Sequence, residues 1–207
     1  MNGLRLTPVV TVIGGLCVAV FLLTLIMTPA QLTGLTAYEL TPARFDPGAA
    51  EGYASPTAAL AALLGHAFLH AGPIHLLMNM MVFFQAGPFV EQRMGSLRFA
   101  LLYVLSILGG AVGYLLINPH SAMGVIGASG AVCGVFAAYF LAVRPSPRAA
   151  IEDPRVRNAM LTFVGINVVL VALLPLPIAW EAHLGGFIAG GLAYLVLAPK
   201  AATGPWS

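Results

Sequence analysis

Six stretches of this chain are apolar for long enough to cross a bilayer, near residues 8–28, 73–92, 97–117, 126–143, 157–175 and 178–198. A hydrocarbon core of about 30 Å takes roughly 20 helical residues to span. Within it, backbone groups must be satisfied internally, which makes each stretch a helix. Only 8% of the residues are charged and 59% are hydrophobic, whereas a soluble domain carries about 25% charge. The chain therefore reads as an all-α polytopic membrane protein, a single membrane domain over 1–207. Cys17 and Cys133 both fall within apolar runs, so no disulfide framework is expected.

The first run, with Arg5 before it and Thr28-Pro29-Ala30 after it, resembles a signal peptide. Its 20 apolar residues from Pro8 to Met27 exceed the usual signal core of about 7–15 residues. It is expected to remain as the first span. Charge then sets the orientation. Arg93 and Arg98 flank the turn between spans two and three, and Arg144, Arg148, Arg155 and Arg157 crowd the link between spans four and five. With Arg5 and Lys200 at the two ends, eight of the nine basic residues lie on one side and only Arg44 on the other. The positive-inside rule makes the basic side cytoplasmic, with both termini inside. The long outer connection, 29–72, mixes four prolines with Tyr38, Phe45 and Tyr53, and is expected to be an ordered loop on the outer leaflet. No repeat and no basic-aromatic patch for nucleic acid occurs.

Within these spans two residues could carry chemistry together. Ser129, in Gly127-Ala128-Ser129-Gly130, and His183, in Ala182-His183-Leu184-Gly185-Gly186, each lie 14 residues before the last apolar residue of their run. That is about 21 Å from the cytoplasmic end at the helical rise, and about 10 Å below the outer surface. Gly-x-Ser-Gly alone could be a helix-packing feature, since small residues such as Gly130 and Gly134 let backbones approach. It could also let a backbone N–H face an oxyanion, a reading the motif alone supports less than packing. An ionisable side chain inside a span, however, is a functional candidate by default. Gly186 and Gly190 share the face of His183 and would let span six press against span four. Glu181, two residues from His183, lies on roughly the opposite face. A Ser129–His183 dyad is thus the simplest proposal, with the histidine as general base and then acid.

Pro73 favours a helix starting there, which leaves His66 and His70 at the end of the outer loop. His75 and Asn79 then share one face of span two, about 22 and 16 Å from the cytoplasmic end, and bracket the depth of Ser129. They could donate to an oxyanion. Histidines at this spacing can also bind zinc, but the segment lacks a Glu for a His-Glu-x-x-His motif, so no metal and no cofactor is expected.

In order and spacing, His66-x3-His70-x4-His75-x3-Asn79, Glu91-x3-Gly95, Gly127-Ala-Ser129-Gly130 and Ala182-His183-x2-Gly186-x3-Gly190 resemble the rhomboid family of intramembrane serine proteases, over roughly 60–198. The resemblance implies a six-transmembrane-helix rhomboid-like bundle in which Ser129 and His183 are the catalytic dyad. His75, Asn79 and the Ser129 amide would stabilise the oxyanion, and His66, His70, Glu91 and Arg93 would be structural. It further implies that span five and the loop at 175–179 act as lateral gate and cap. The partners would be membrane lipid and single-span transmembrane protein substrates cut near the outer face, with the protein in a prokaryotic inner membrane. Two positions depart from the family pattern. The Trp-Arg pair of the first outer loop is absent, its place expected around Arg44-Phe45, and Cys133 stands where many members carry a tyrosine that stacks on the base. Two alternatives remain: a non-catalytic rhomboid-like membrane chaperone or binding protein, and a small transporter, which would call for repeated halves.

Overall fold

Proline opens most of the helices. The computed structural model describes residues 6–173 and 178–199. Its α-helices are α1 (Pro8–Thr24), α2 (Pro29–Leu35), α3 (Pro56–Gly65), α4 (Pro73–Met94), α5 (Ser96–Ile117), α6 (Ser129–Ala142), α7 (Pro147–Glu152), α8 (Pro154–Leu173) and α9 (Trp180–Leu197). Proline costs nothing at a first helical position, because that N–H has no intrahelical acceptor. The residue before it often supplies a cap. Thr28 and Gln31 form a reciprocal capping box at α2, and Ser55 and Ser146 accept from Ala58 N and Ala149 N, each at 3.2 Å.

Among the described residues three helices, α4, α5 and α9, are long and apolar enough to cross a membrane, while α1, the segment Pro56–Phe68 and α6 are shorter apolar helices. The run 126–143 is helical only from Ser129, so α6, at 14 residues, is about 21 Å long. The residues just before it are outside the helix, with Ala128 in a turn. Helix α8 starts three residues before the expected 157. Of the 175–179 loop, residues 175–177 lie outside the described residues, as do Arg5 and Lys200. The connection 29–72 contains α2, α3 and three short 3-10 turns that its proline-rich sequence does not announce.

Large apolar side chains cover the outer faces of the helices as well as the interior. Leu101, Leu105, Val112 and Leu116 of α5, and Ile188, Leu192 and Val196 of α9, point outward. His66, His70, Asn79, Glu91 and Ser106 are buried. Helix α6 sits at the centre, against α4, α5 and α9. Small residues let α9 come close. Ala182 O fills a notch where Cβ atoms on Gly110 and Gly130 would stand, 3.0 and 3.1 Å away.

Gly95 makes the turn from α4 to α5 at φ +84°, a left-handed conformation that glycine adopts without a Cβ clash. Beside it the Glu91 carboxylate, 2% exposed, accepts from Val9 N (3.1 Å), Val10 N (2.9 Å), Ser96 Oγ (2.7 Å) and the Thr7 hydroxyl. Glu91 thus caps the first turn of α1, whose N–H groups have no helical acceptor, and ties α1, α4 and α5 together. Arg93 donates to Arg144 O at 2.9 Å, joining the ends of α4 and α6.

Candidate active site

Ser129 is the first residue of α6 and His183 lies in the first turn of α9. The glycine-lined approach of α9 to α6 brings the two side chains together, with His183 Nε2 2.8 Å from Ser129 Oγ. At the start of a helix the leading N–H groups have no intrahelical acceptor, and the helix dipole is positive there. The backbone amides at Ser129 are therefore suited to face negative charge. His183 Nδ1 is buried, with no hydrogen-bond partner among the described residues. The nearby acid is engaged elsewhere, because Glu181 Oε1 accepts from Asn118 Nδ2 at 2.9 Å.

His75 and Asn79 lie one turn apart on α4, with Asn79 Nδ2 donating to His75 O at 3.0 Å. The His75 ring lies against Gly127, where a Cβ would stand 2.7 Å from both Cε1 and Nε2. Gly127 has φ +125°, so a side chain there is excluded twice over. His75 Nδ1 accepts from Ala71 N at 3.4 Å, which places the proton of the neutral ring on Nε2, the nitrogen turned toward Gly127.

His66 and His70 stand behind this layer. His66 O accepts from Gly127 N at 2.8 Å, and its Nδ1 pairs with Ala62 O at 3.0 Å. The His70 ring packs edge-on to His75 at 5.1 Å. Gly186 and Gly190 press on the backbone of Gly130 and Gly134.

Two cavities adjoin the dyad. One of about 20 Å³ is bounded by His66, Gly127, Ser129, Gly130 and Ala182, room enough for a water molecule. The other, about 320 Å³, lies beside His183, between Cys133, Phe163, Trp180 and Phe187. No aromatic ring stacks on His183 among the described residues, and the small Cys133 side chain leaves this space open.

The approach to Ser129 contains residues that sequence reasoning missed. Alternate residues from 121 to 127 are tied down. Ser121 O accepts from Ala43 N (3.0 Å), Met123 O from Tyr114 Oη (3.1 Å) and Gly127 N donates to His66 O. Val125 and Leu40 exchange both backbone bonds at 3.1 Å. The period of two is visible in the sequence only after the partners are known.

A family model described as the rhomboid domain matches residues 57–200, well over half of the chain. The chain belongs to the rhomboid family. It is 33% identical over 133 residues to the putative rhomboid protease YdcA of Bacillus subtilis (strain 168), covering 64% of each chain. It is 33% identical over 136 residues to RHOMBOID-like protein 5 of Arabidopsis thaliana, covering 65% of this chain and 43% of that one. To the rhomboid protease GluP of Bacillus subtilis (strain 168) it is 29% identical over 147 residues, 67% of this chain and 26% of the relative. The match thus spans less than two thirds of each of these relatives. Family membership and the outward apolar faces make this rhomboid an integral membrane protein.

Proposed function

We propose that this rhomboid is an intramembrane serine endopeptidase working through a Ser129–His183 dyad. The observation that carries the reading is the 2.8 Å contact between His183 Nε2 and Ser129 Oγ, within the reach a general base needs. In the proposed reaction Ser129 Oγ attacks the scissile carbonyl carbon while His183 Nε2 takes the hydroxyl proton. The Ser129 amide, the Nε2–H of His75 and the free amide proton of Asn79 stabilise the oxyanion. His183 then returns the proton to the leaving nitrogen, and the C–N bond breaks to give an acyl-enzyme. A water deprotonated by His183 hydrolyses the ester and restores Ser129.

Six spans with both termini cytoplasmic, as the charge distribution implies, would place the dyad near the outer face. An intact helix offers no free scissile carbonyl. Suitable substrates are therefore single-span proteins with small or helix-breaking residues near the outer end of the span. Helix α8 is suited to act as lateral gate. Its contacts with α6 and α9 include Phe163, whose ring lies 4.3 Å from Phe136 and 6.3 Å from Phe187. The test is cleavage of a transmembrane substrate by purified protein, with Ser129→Ala, His183→Ala and the double variant alongside. Each should abolish cleavage, and the double should be no worse than either, because the pair acts as a unit. Substantial cleavage by Ser129→Ala would overturn the reading.

A further inference from the structure

The outer loop converges on one side chain. Tyr53 Oη donates to Glu39 O at 2.6 Å and accepts from Thr41 N at 3.0 Å, so its one hydroxyl grips the backbone on both sides of Leu40. Leu40 is fully buried, packs with Ala111, Tyr114 and Ala182, and makes the two-way bridge to Val125. Val125 is two residues before Gly127 and four before Ser129. The Tyr53 ring is itself held. The Arg44 guanidinium lies 4.4 Å over its centroid and Phe45 meets it edge-on at 4.8 Å. Arg44 in turn donates to Thr36 O and Glu51 O, each at 3.1 Å.

We propose that Tyr53 is a positioning residue for the Ser129 reaction, its hydroxyl setting the register of Leu40 against Val125 and hence the place of the Gly127–Ser129 backbone. The proposal rests on the reading of Ser129 as nucleophile. The ring contacts with Arg44 and Phe45 hold the loop together, while the hydroxyl's two bonds fix where that loop grips the approach to Ser129. Removing the hydroxyl alone separates these two effects. In Tyr53→Phe the cation–π contact and the edge contact persist, and Glu39 O and Thr41 N sit where the hydroxyl was only part-buried, so water can replace it. What is lost is the fixed spacing across Leu40. Such a loss acts on the chemical step and not on substrate binding, since small misplacements of a reacting group lower rate steeply.

The test uses the full chain in detergent micelles. A fluorophosphonate labels an activated serine, and its rate reads Ser129 directly. A transmembrane substrate supplies kcat and KM, and thermal unfolding reports the fold. Tyr53→Phe should lower kcat and the labelling rate together by about threefold to tenfold, the worth of one hydrogen bond, with KM and Tm unchanged. Arg44→Lys keeps ring and hydroxyl but loses the guanidinium fork, and should show a smaller kcat loss of the same kind. Wild-type rates in folded Tyr53→Phe, or losses confined to KM or Tm in both variants, would overturn the proposal. Wild-type protein that fails to label at Ser129 would instead remove the nucleophile reading, and the proposal with it.

Discussion

Adding one methyl group to α9 should separate the stability of this bundle from its activity. An ideal Cβ on Gly190 would lie 2.5 Å from the carbonyl carbon of Gly134 and overlap the rest of that residue's backbone. Carbon atoms pack at about 3.5–4.0 Å, and a backbone cannot turn aside as a side chain can. In Gly190→Ala, α9 must therefore move from α6 by about 1 Å or more. Gly190 is seven residues after His183 and so on the same face of α9, and it packs on Gly134 of α6, so the wedge lies beneath the dyad. A parting of that size stretches the 2.8 Å contact between His183 and Ser129 past the range of about 3.2 Å in which a hydrogen bond holds. Overpacking of this kind costs about 1–3 kcal/mol. Alanine in place of helical glycine returns about 0.8–1.0 kcal/mol, so the net change in unfolding free energy should be at most about 2 kcal/mol. Activity should suffer far more, by about a hundredfold, as expected for a 1 Å misplacement of reacting groups. Gly191→Ala is the control, since its added Cβ would meet only Ala137 Cβ at an ordinary 3.7 Å. It should keep full activity and unfold no earlier than wild type. Thermal unfolding in detergent and kcat on one transmembrane substrate decide the matter. A Gly190→Ala protein that keeps kcat within about threefold of Gly191→Ala would show that helix separation does not set the dyad.

The oxyanion donors predict that Asn79→Ala lowers kcat by up to about 10²–10³ with little change in KM; unchanged kcat in both Asn79→Ala and His75→Ala would remove them from the reaction. Glu91→Ala strands the N–H groups of Val9 and Val10 and the hydroxyls of Thr7 and Ser96. It should destabilise the protein by about 2–4 kcal/mol, with Glu91→Gln falling between, and equal losses in the two would refute the capping role. Asp153, in the link between α7 and α8, accepts from Arg155 N at 2.8 Å and Arg144 Nε at 2.7 Å. These contacts, the Arg155 amide first, hold its carboxyl below the ordinary aspartate range. Because the folded value is the lower one, the stabilisation is full above the unfolded value and fades as pH falls through the folded value. The Tm gap between wild type and Asp153→Asn should therefore be present at neutral pH and close in strong acid, and a gap constant across that range would refute the assignment.

How much of this was legible in the sequence depends on the range of each interaction. Pro73 announced the start of α4, and the glycines following His183 announced the close approach of α9, because both act through local geometry. That Ser129 and His183 come within reach of each other followed from counting along helices. The contribution of Leu40 and Tyr53 did not, since a lone bridge between residues 40 and 125 leaves no periodic trace in either segment. The helices α2 and α3 were hidden for a related reason. Their prolines suggest a loop, yet at a first helical position the same residue favours a helix. The partner of Glu91 was equally silent, because a carboxylate at the end of α4 capping α1 is a contact between residues more than eighty positions apart.

A base with no acid behind it needs another source of order. In a Ser-His-Asp triad the carboxylate fixes the tautomer and orientation of the imidazole, but His183 Nδ1 has no hydrogen-bond partner among the described residues and the cavity beside Cys133 leaves part of the ring's flank open. Orientation must then come from the backbone that carries the ring. Ala182 O, lodged between Gly110 and Gly130, fixes α9 one residue from His183. The ties along 121–127 fix the other partner. The two constraints are distinct, one through helix contact and one through the connection 29–72, and they meet at Ser129. If that division is right, Cys133→Tyr, which places a ring in the cavity beside His183, should partly restore kcat in Gly190→Ala while leaving the kcat of Tyr53→Phe unchanged. That variant supports the base and not the approach to the nucleophile. Equal rescue of both, measured as kcat on the same transmembrane substrate, would show that the two constraints are one.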